Sequence, residues 1–408
     1  MAADYSVYED VLKEVWTQDR LEKQFYDQNL LLDTIEKTSK YKVGKVAKVP
    51  VHLDRSGGYT IVPEAGSSSL NPADNQKVGV AEFKHTRHWF QVQIDTNAIT
   101  SSEGPLAVAS AMDSEVTGAI ENTRHQVAAQ AFGDGTGFLA KCGTSTTTTT
   151  ITLASGDTWA LDRGYLYPGL TVDIGTTSNP VSQTGAGTPR QITAIDTANN
   201  TITISGANIT TSSSHFVSIA GSRSGSTFYG MNGLNNIIGT GAFGGLTDER
   251  WKSFAIDSPA SAEDLSLEKL LDIQRKIFQQ RGGRPDWNLT SPLQQQLFYL
   301  LLQSQARFSG DTGIGAGNDT GATWSGMRID AQPDCPDDEW FMLTKKHLFM
   351  VRTDKPYWVT QKYGGSILEW KQGTTNLVGA LEYYAQLATN RRSAHGKLTN
   401  LSLTPPAA

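Results

Sequence analysis

The apolar positions change period along the chain, and each change marks an element. From Val7 to Ile35, the residues Val7, Val11, Val15, Leu21, Phe25 and Leu32 recur mostly at three- or four-residue steps among Asp, Glu and Lys. This predicts an amphipathic helix or a broken pair of helices. Its apolar stripe requires a partner surface, on its own domain or on another subunit. Between Tyr41 and Ile99 the period falls to two: KVGKVAKVPVHLD and VGVAEFKHTRHWFQVQIDT alternate apolar with polar residues. They flank a stretch from Ser56 to Asn75 rich in Gly, Ser, Pro and Asn. That is the pattern of a long two-stranded ribbon, which buries little by itself and is marginal in water unless it leans on something else.

Pro105 then stands where a first helical residue belongs, behind Ser101 and Ser102, and Leu106, Ala109, Met112, Val116, Ile120 and Val127 share one face as far as Gly133. At 1.5 Å per residue this helix spans roughly 40 Å. From about Gly135 to Ser226 the composition shifts to Thr, Ser and Gly, with short β patterns at Leu170–Gly175, Gln191–Asp196, Asn200–Gly206 and His215–Gly221. These predict a small barrel or sandwich inserted into a loop of a larger domain. The remainder mixes both periods. A helix is expected over Ser266–Gln280, stopped by Gly282 and Gly283, then a strand at Asp286–Thr290 and a helix opening on Pro292. A Gly-rich loop from Ser309 to Gly326 follows, then strands at Trp340–Leu343 and His347–Arg352, an aromatic stretch from Tyr357 to Trp370 and a last run from Gly379 to Leu398. The fold class is α+β.

Composition adds constraints. A chain of 408 residues implies two or three modules, and 38% hydrophobic content with 39 Gly points to extended arms and β-rich surface. The net charge of -6 lacks the basic footprint of a protein that grips phosphates. Cys142 and Cys335 stand far apart, in no metal or redox spacing, which fits a reducing cytoplasm. The N-terminus has no secretory pattern and no apolar run approaches the roughly 20 residues of a membrane span. The Asn-x-Ser/Thr triplets at Asn199, Asn208, Asn288, Asn318 and Asn400 are then empty matches.

Gly239-x-Gly241-x-x-Gly244, with Glu263 and Asp264 downstream, has the spacing of a dinucleotide fingerprint, but no amphipathic helix starts in the glycines. His85 and His88 lie three apart on an alternating stretch, hence on opposite faces, which is wrong for a shared metal. Asp334, Asp337, Asp338 and Glu339 lack the ligand positions of a calcium loop and read as an exposed turn. The chain carries no nucleophile elbow, Walker loop or zinc-protease helix. We therefore assign no catalytic, cofactor-binding or metal residue and no cofactor, and the reading is non-enzymatic.

The order of these parts resembles the major capsid proteins of tailed bacteriophages, the Hong Kong ninety-seven fold. Gly230–Thr247 (GMNGLNNIIGTGAFGGLT) looks like the family's entry into its axial domain. SLEKLLDIQRKIFQQRGGRPDWNLTSPLQQQLFYLL, with its Trp287–Pro292 phrase, looks like the helix, strand and helix that build it. The resemblance implies an N-terminal arm (1–40), an extended β-hairpin loop (41–100), a spine helix of the peripheral domain (101–134) and an inserted β domain (135–226). A mainly axial domain (227–355) and a return to the peripheral domain (356–408) complete it. It further implies hexamers and pentamers of a shell, made in the host cytoplasm, that enclose double-stranded DNA without specific binding. A scaffolding protein, a portal and a decoration protein are the implied partners, with no membrane. Some members of that family join the loop of one subunit to a neighbour through a Lys–Asn isopeptide bond; Lys77 with Asn376 or Asn390 are nameable here, and nothing in the spacing selects them. The alternative is a surface-binding β module, carbohydrate-binding or decorative, in which Trp159, Tyr165 and Tyr167 would line one face of the insertion.

Overall fold

The computed structural model describes residues 29–64, 69–72, 75–95, 105–154, 159–176, 189–224, 227–257, 262–281, 283–303 and 323–404. Most of the arm expected over Val7–Ile35 and most of the loop expected over Ser309–Gly326 lie outside them. The chain forms two compact units. One gathers the residues up to Ser39 with His85–Leu234 and Met350–Leu387, the other Lys40–Lys84, Asn235–Phe349 and the residues from Ala388 onward.

The first unit is built on the long helix Pro105–Phe132 and the long strand Asn376–Thr389. The helix begins at the proline and runs until Gly133, as the pattern predicts, with Val116, Ala119, Ile120 and Val127 buried at helical spacing. Strand Thr86–Asp95 pairs antiparallel with Asn376–Thr389 from Thr86↔Ala385 to Asp95↔Asn376. The alternating stretch Tyr41–Ile99 is therefore not one ribbon. Its hairpin ends at Lys84, and the next strand joins a six-stranded sheet, pairing there with a strand some 290 residues away in sequence.

The Thr-rich insertion is a closed barrel. Its six strands run in the order Phe138–Lys141, Phe216–Ile219, Thr171–Gly175, Arg190–Asp196, Thr201–Ile204 and Thr150–Thr152. The outer two meet where the Gly143 N–H donates to the Thr152 carbonyl (2.7 Å) and the Ala154 N–H to the Lys141 carbonyl (2.9 Å). Its core holds Ile151, Leu161, Val172, Ile174, Ile192, Ile202 and Val217. The chain enters and leaves side by side, through the Asp134↔Asn232 bridge. At this neck a Cβ on Gly230 would come within 2.7 Å of the Gly137 nitrogen and 2.8 Å of the Gly135 oxygen, so only glycine fits there.

The second unit holds a mixed six-stranded sheet, ordered Phe254–Asp257, Gly396–Thr399, Trp340–Leu343, Trp287–Thr290, Met327–Ala331 and Thr323–Trp324. Helices Leu267–Arg281 and Pro292–Gln303 bury Leu270, Ile273, Ile277 and Phe298 in a core with Trp340, Met342 and Leu398. Each helix has a serine before it that accepts from a first-turn N–H: Ser266 from Lys269 (3.3 Å) and Ser291 from Gln294 (3.2 Å). One boundary differs from the expectation that the chain from 356 onward returns to the first module: residues from Ala388 group with the second unit, and Gly396–Thr399 is an interior strand of its sheet. The reason is a turn at Arg392–Ala394 that lets one continuous run supply strands to two sheets.

Two buried histidines set an acid limit on this fold. Burial lowers His395 from 6.5 to about 3, helped by the charge of His347, and burial lowers His88 from 6.5 to about 4. The Thr344 N–H donates to Nδ1 of His395 (3.2 Å), so protonation there breaks a buried bond. Above pH 6.5 both rings are neutral in either state. Below it the unfolded chain takes up protons that the folded chain refuses, so stability falls from pH 6.5 toward pH 4. Urea denaturation between pH 7 and pH 4 is expected to show this fall, with a shallower slope for His395→Gln. Expressed alone, residues 134–232 are expected to fold as a monomer with one cooperative thermal transition, since all of the barrel core except Ala129 lies within them and the first and last strands of its six-stranded sheet meet.

Candidate assembly surface

The ribbon that does form pairs Val46–Asp54 with Lys77–Lys84, from Val46↔Lys84 to His52↔Val78. Alternation puts Ala47, Val49, Val51, Leu53, Ala81 and Phe83 on a buried face. That face is covered by residues 243–250 of the same unit, a stretch that holds Gly244, the last glycine of the triplet. Gly244 has φ +63 and its absent Cβ would meet the Phe83 ring at 3.0 Å and Ala81 at 3.1 Å. Its carbonyl accepts from the Glu82 N–H (2.9 Å), and Phe243 packs on Phe83 with centroids 5.1 Å apart. Leu246 lies so close to Gly79 that a Cβ there would meet it at 3.1 Å. Gly244, with Phe243 and Leu246, is thus the seat of the hairpin. Glu263 is ion-paired with Lys269 (2.8 Å), remote from any nucleotide role. The pattern gave no warning of the seat beyond two aromatics, Phe243 and Trp251, among the glycines; the Trp251 indole N–H donates to the Phe243 carbonyl (2.9 Å).

Two ion pairs flank the seat, Lys77–Asp248 (2.6 Å) and Arg250–Asp54 (2.7 Å). A hydrogen bond and the charge of Asp248 raise the Lys77 pKa, so its amine is held as ammonium and is a poor nucleophile. Asn376 opens the long strand opposite Asp95, and Asn390 bonds Nδ1 of His347 (2.7 Å). Nothing in these placements marks either asparagine as a partner for Lys77.

Beyond the seat the ribbon is bare. Tyr59 and Ile61 are 81% exposed and Leu70 is 70% exposed, although the tip is internally tied by Asn71, whose N–H donates to Thr60 Oγ1 (2.9 Å) and whose side chain donates to the Tyr59 carbonyl (3.1 Å). Val78 and Val80 are also exposed on the outer face. Fully covering such a side chain is worth about 1.5–3 kcal/mol, so the described part of the tip leaves apolar surface open to water. A second exposed patch lies on the first unit's sheet. There the Arg87 guanidinium sits 4.5 Å from the Trp89 ring centroid and 5.7 Å from that of Tyr384, and bonds Glu382, which also accepts from Tyr357 Oη (2.6 Å). Burial pushes Glu382 up, but hydrogen bonds from Tyr357, Tyr384 and Arg87 outweigh it and hold the carboxyl below its usual range.

The remaining sequence candidates are structural. His88 stacks on Tyr383 with ring centroids 6.1 Å apart, and among the described residues no group of three His, Cys, Asp or Glu can hold a metal. The Asp337 and Asp338 carbonyls accept from Gln294 Nε2 and the Leu401 N–H, which builds the acidic turn into the second unit. Cys142 and Cys335 are free and buried. In the barrel Tyr165 is buried and Trp159 packs against the core, so with Tyr167 half-buried they form no exposed platform. Among the described residues no helix is long and apolar enough to cross a membrane. For the seat, Phe83→Ala is expected to lower unfolding free energy by about 3–5 kcal/mol, from the cavity left beside Phe243. Lys77→Met, which breaks a solvent-screened pair, is expected to leave the urea midpoint nearly unchanged.

No protein-family model and no curated protein matches the sequence. Among solved structures the chain is similar to one from the cyanophage A-1(L) capsid asymmetric unit, with TM-score 0.51 and 10% identity over 90% of each chain. It is also similar to the capsid of an empty GTA particle (TM-score 0.48, 7% identity, 92% of this chain and 90% of that one) and to the satellite phage P4 procapsid (TM-score 0.44, 9% identity, 98% of each). At 10% identity the likeness is one of fold, and the fold of this chain is that of the cyanophage capsid subunit.

Proposed function

We propose that the chain is the major capsid protein of a tailed phage, self-assembling through hexamers and pentamers into a shell around double-stranded DNA. The observation that carries this reading is the fold shared with the cyanophage capsid chain over 90% of both. The bare tip supports it, because Tyr59, Ile61 and Leu70 need a surface that the monomer does not supply. On this reading residues 1–40 are an arm laid on neighbours, the hairpin that ends at Lys84 overlaps an adjacent subunit, and 101–134 is the spine of a peripheral domain. The 135–226 barrel is an insertion, the second unit is the axial domain, and the role is non-enzymatic. A net charge of -6 suits a wall that faces packed DNA without holding it. A scaffolding protein, a portal and a decoration protein are the proposed partners, assembly takes place in the host cytoplasm, and the finished subunit resides in the virion capsid.

The chain, expressed alone and with the proteins encoded beside it, is expected to give round shells or hexamer-sized rings by size-exclusion chromatography and negative-stain electron microscopy. A compact monomer under both conditions overturns the reading. The triple variant Tyr59→Ser, Ile61→Ser, Leu70→Ser is expected to keep the wild-type melting temperature within a few degrees and to lose the assembled fraction.

A further inference from the structure

The sheet of the first unit has one long open edge. Strand Thr86–Asp95 is 10 residues long, roughly 33 Å, and among the described residues it pairs only with Asn376–Thr389, so no strand lies along its other side. Glu36–Thr38, at another end of the same sheet, has 3 residues. Edges attract other strands, and proteins blunt them with proline, lysine, bulges or short length. Thr86–Asp95 uses none of these: it holds no Pro and no Lys, and its register with Asn376–Thr389 runs unshifted from end to end. Its two faces differ. His88, Val92 and Ile94 are buried on the side that packs with helix Pro105–Phe132, whereas Arg87, Trp89, Gln91, Gln93 and Asp95 are exposed on the other.

We propose that this edge pairs antiparallel with the same edge of a second copy, about a two-fold axis through Gln91. An axis perpendicular to the sheet sets residues of one face opposite residues of the same face, so both copies keep their helix on one side. Only two registers then overlap nearly the whole strand. One centres on Phe90 and sets Arg87 against Gln93, Trp89 against Gln91 and Thr86 against Ile94, leaving Asp95 past the end of the paired stretch. The other centres on Gln91. It sets Arg87 against Asp95 at both ends, Trp89 against Gln93, Phe90 against Val92 and His88 against Ile94, and the two Gln91 amides meet on the axis, where each can donate to the other. Opposite charges at both ends select this second register. The sheets of two copies become one, and the backbone donors and acceptors of the open edge are used. The pairing goes beyond the shell reading and does not need it. In a closed shell it lies where two rings meet across a two-fold axis.

Cysteines placed in the full-length chain test both the pairing and its register. Opposed residues of an antiparallel pair have Cα atoms about 4.5–5.5 Å apart, within reach of a disulfide. Gln93 and its symmetry mate stand four positions apart along the strands, about 14 Å. Under mild oxidation Gln91→Cys is expected to give a disulfide-linked dimer on a non-reducing gel. Gln93→Cys and the wild type, whose Cys142 and Cys335 are buried, are expected to stay single. Gln91→Lys sets two ammonium groups against each other at an exposed position. It is expected to keep the wild-type melting temperature and to weaken association of copies about tenfold in sedimentation. Copies that link equally through Gln93→Cys, or not at all through Gln91→Cys, overturn the proposal, and so does an association that Gln91→Lys leaves unchanged. Dimers linked through Gln91→Cys without shells or rings count against the shell reading alone, and shells without that link count against the pairing alone.

Discussion

The second unit turns on a buried cation. Arg392 is 2% exposed, and its guanidinium donates to the carbonyls of Ile237, Gly241 (2.5 Å) and Asn236 (3.3 Å) while lying 5.0 Å from the Phe243 ring centroid. Taking a guanidinium out of water costs several kcal/mol, and its pKa falls to about 10 accordingly. The cost is offset because the planar group satisfies carbonyls that an irregular, glycine-rich segment has no ladder to satisfy. Fixing those carbonyls fixes the stretch that continues into Phe243 and Gly244, and those residues hold Phe83 and the Glu82 N–H. The extended ribbon thus depends on a side chain more than 300 residues further along the chain.

That dependence divides the ribbon into two regimes. Near the seat, its inner face is packed on one side by residues 243–250 and held in register by an alternating pattern that a one-residue slip would invert. Past the seat, the apolar side chains Tyr59, Ile61 and Leu70 are exposed. A ribbon of this kind in a self-sufficient monomer would be a liability, and in a protein that assembles it is an arm held out at a fixed root.

The elements with local signals were legible in the sequence. Pro105 and Gly133 bracket the long helix, Ser291 and Pro292 open another, and the period-two stretches of the insertion became strands within one or two residues of the expected ends. What could not be read was pairing over distance. Thr86–Asp95 looks like a continuation of the ribbon because its alternation is the same, and only the presence of Asn376–Thr389 draws it into another sheet. The glycine triplet misled for the same reason: its spacing is local, but the need for glycine at Gly244 comes from Phe83 and Ala81.

The insertion shows how a protein with exposed sheets can add mass without adding risk. Open strand edges recruit other strands, and a lattice of many copies multiplies the opportunity. The barrel closes its first strand on its last through Gly143 and Thr152, so its backbone donors are used internally. Among the described residues its exposed positions include many Thr and Ser, which hydrogen-bond water. The neck of Gly135, Gly137 and Gly230 brings entry and exit together, so the parent unit needs only a two-strand gap to carry the barrel. Closure and a narrow neck together let the insertion fold around its own core while leaving the parent unit's sheet unbroken.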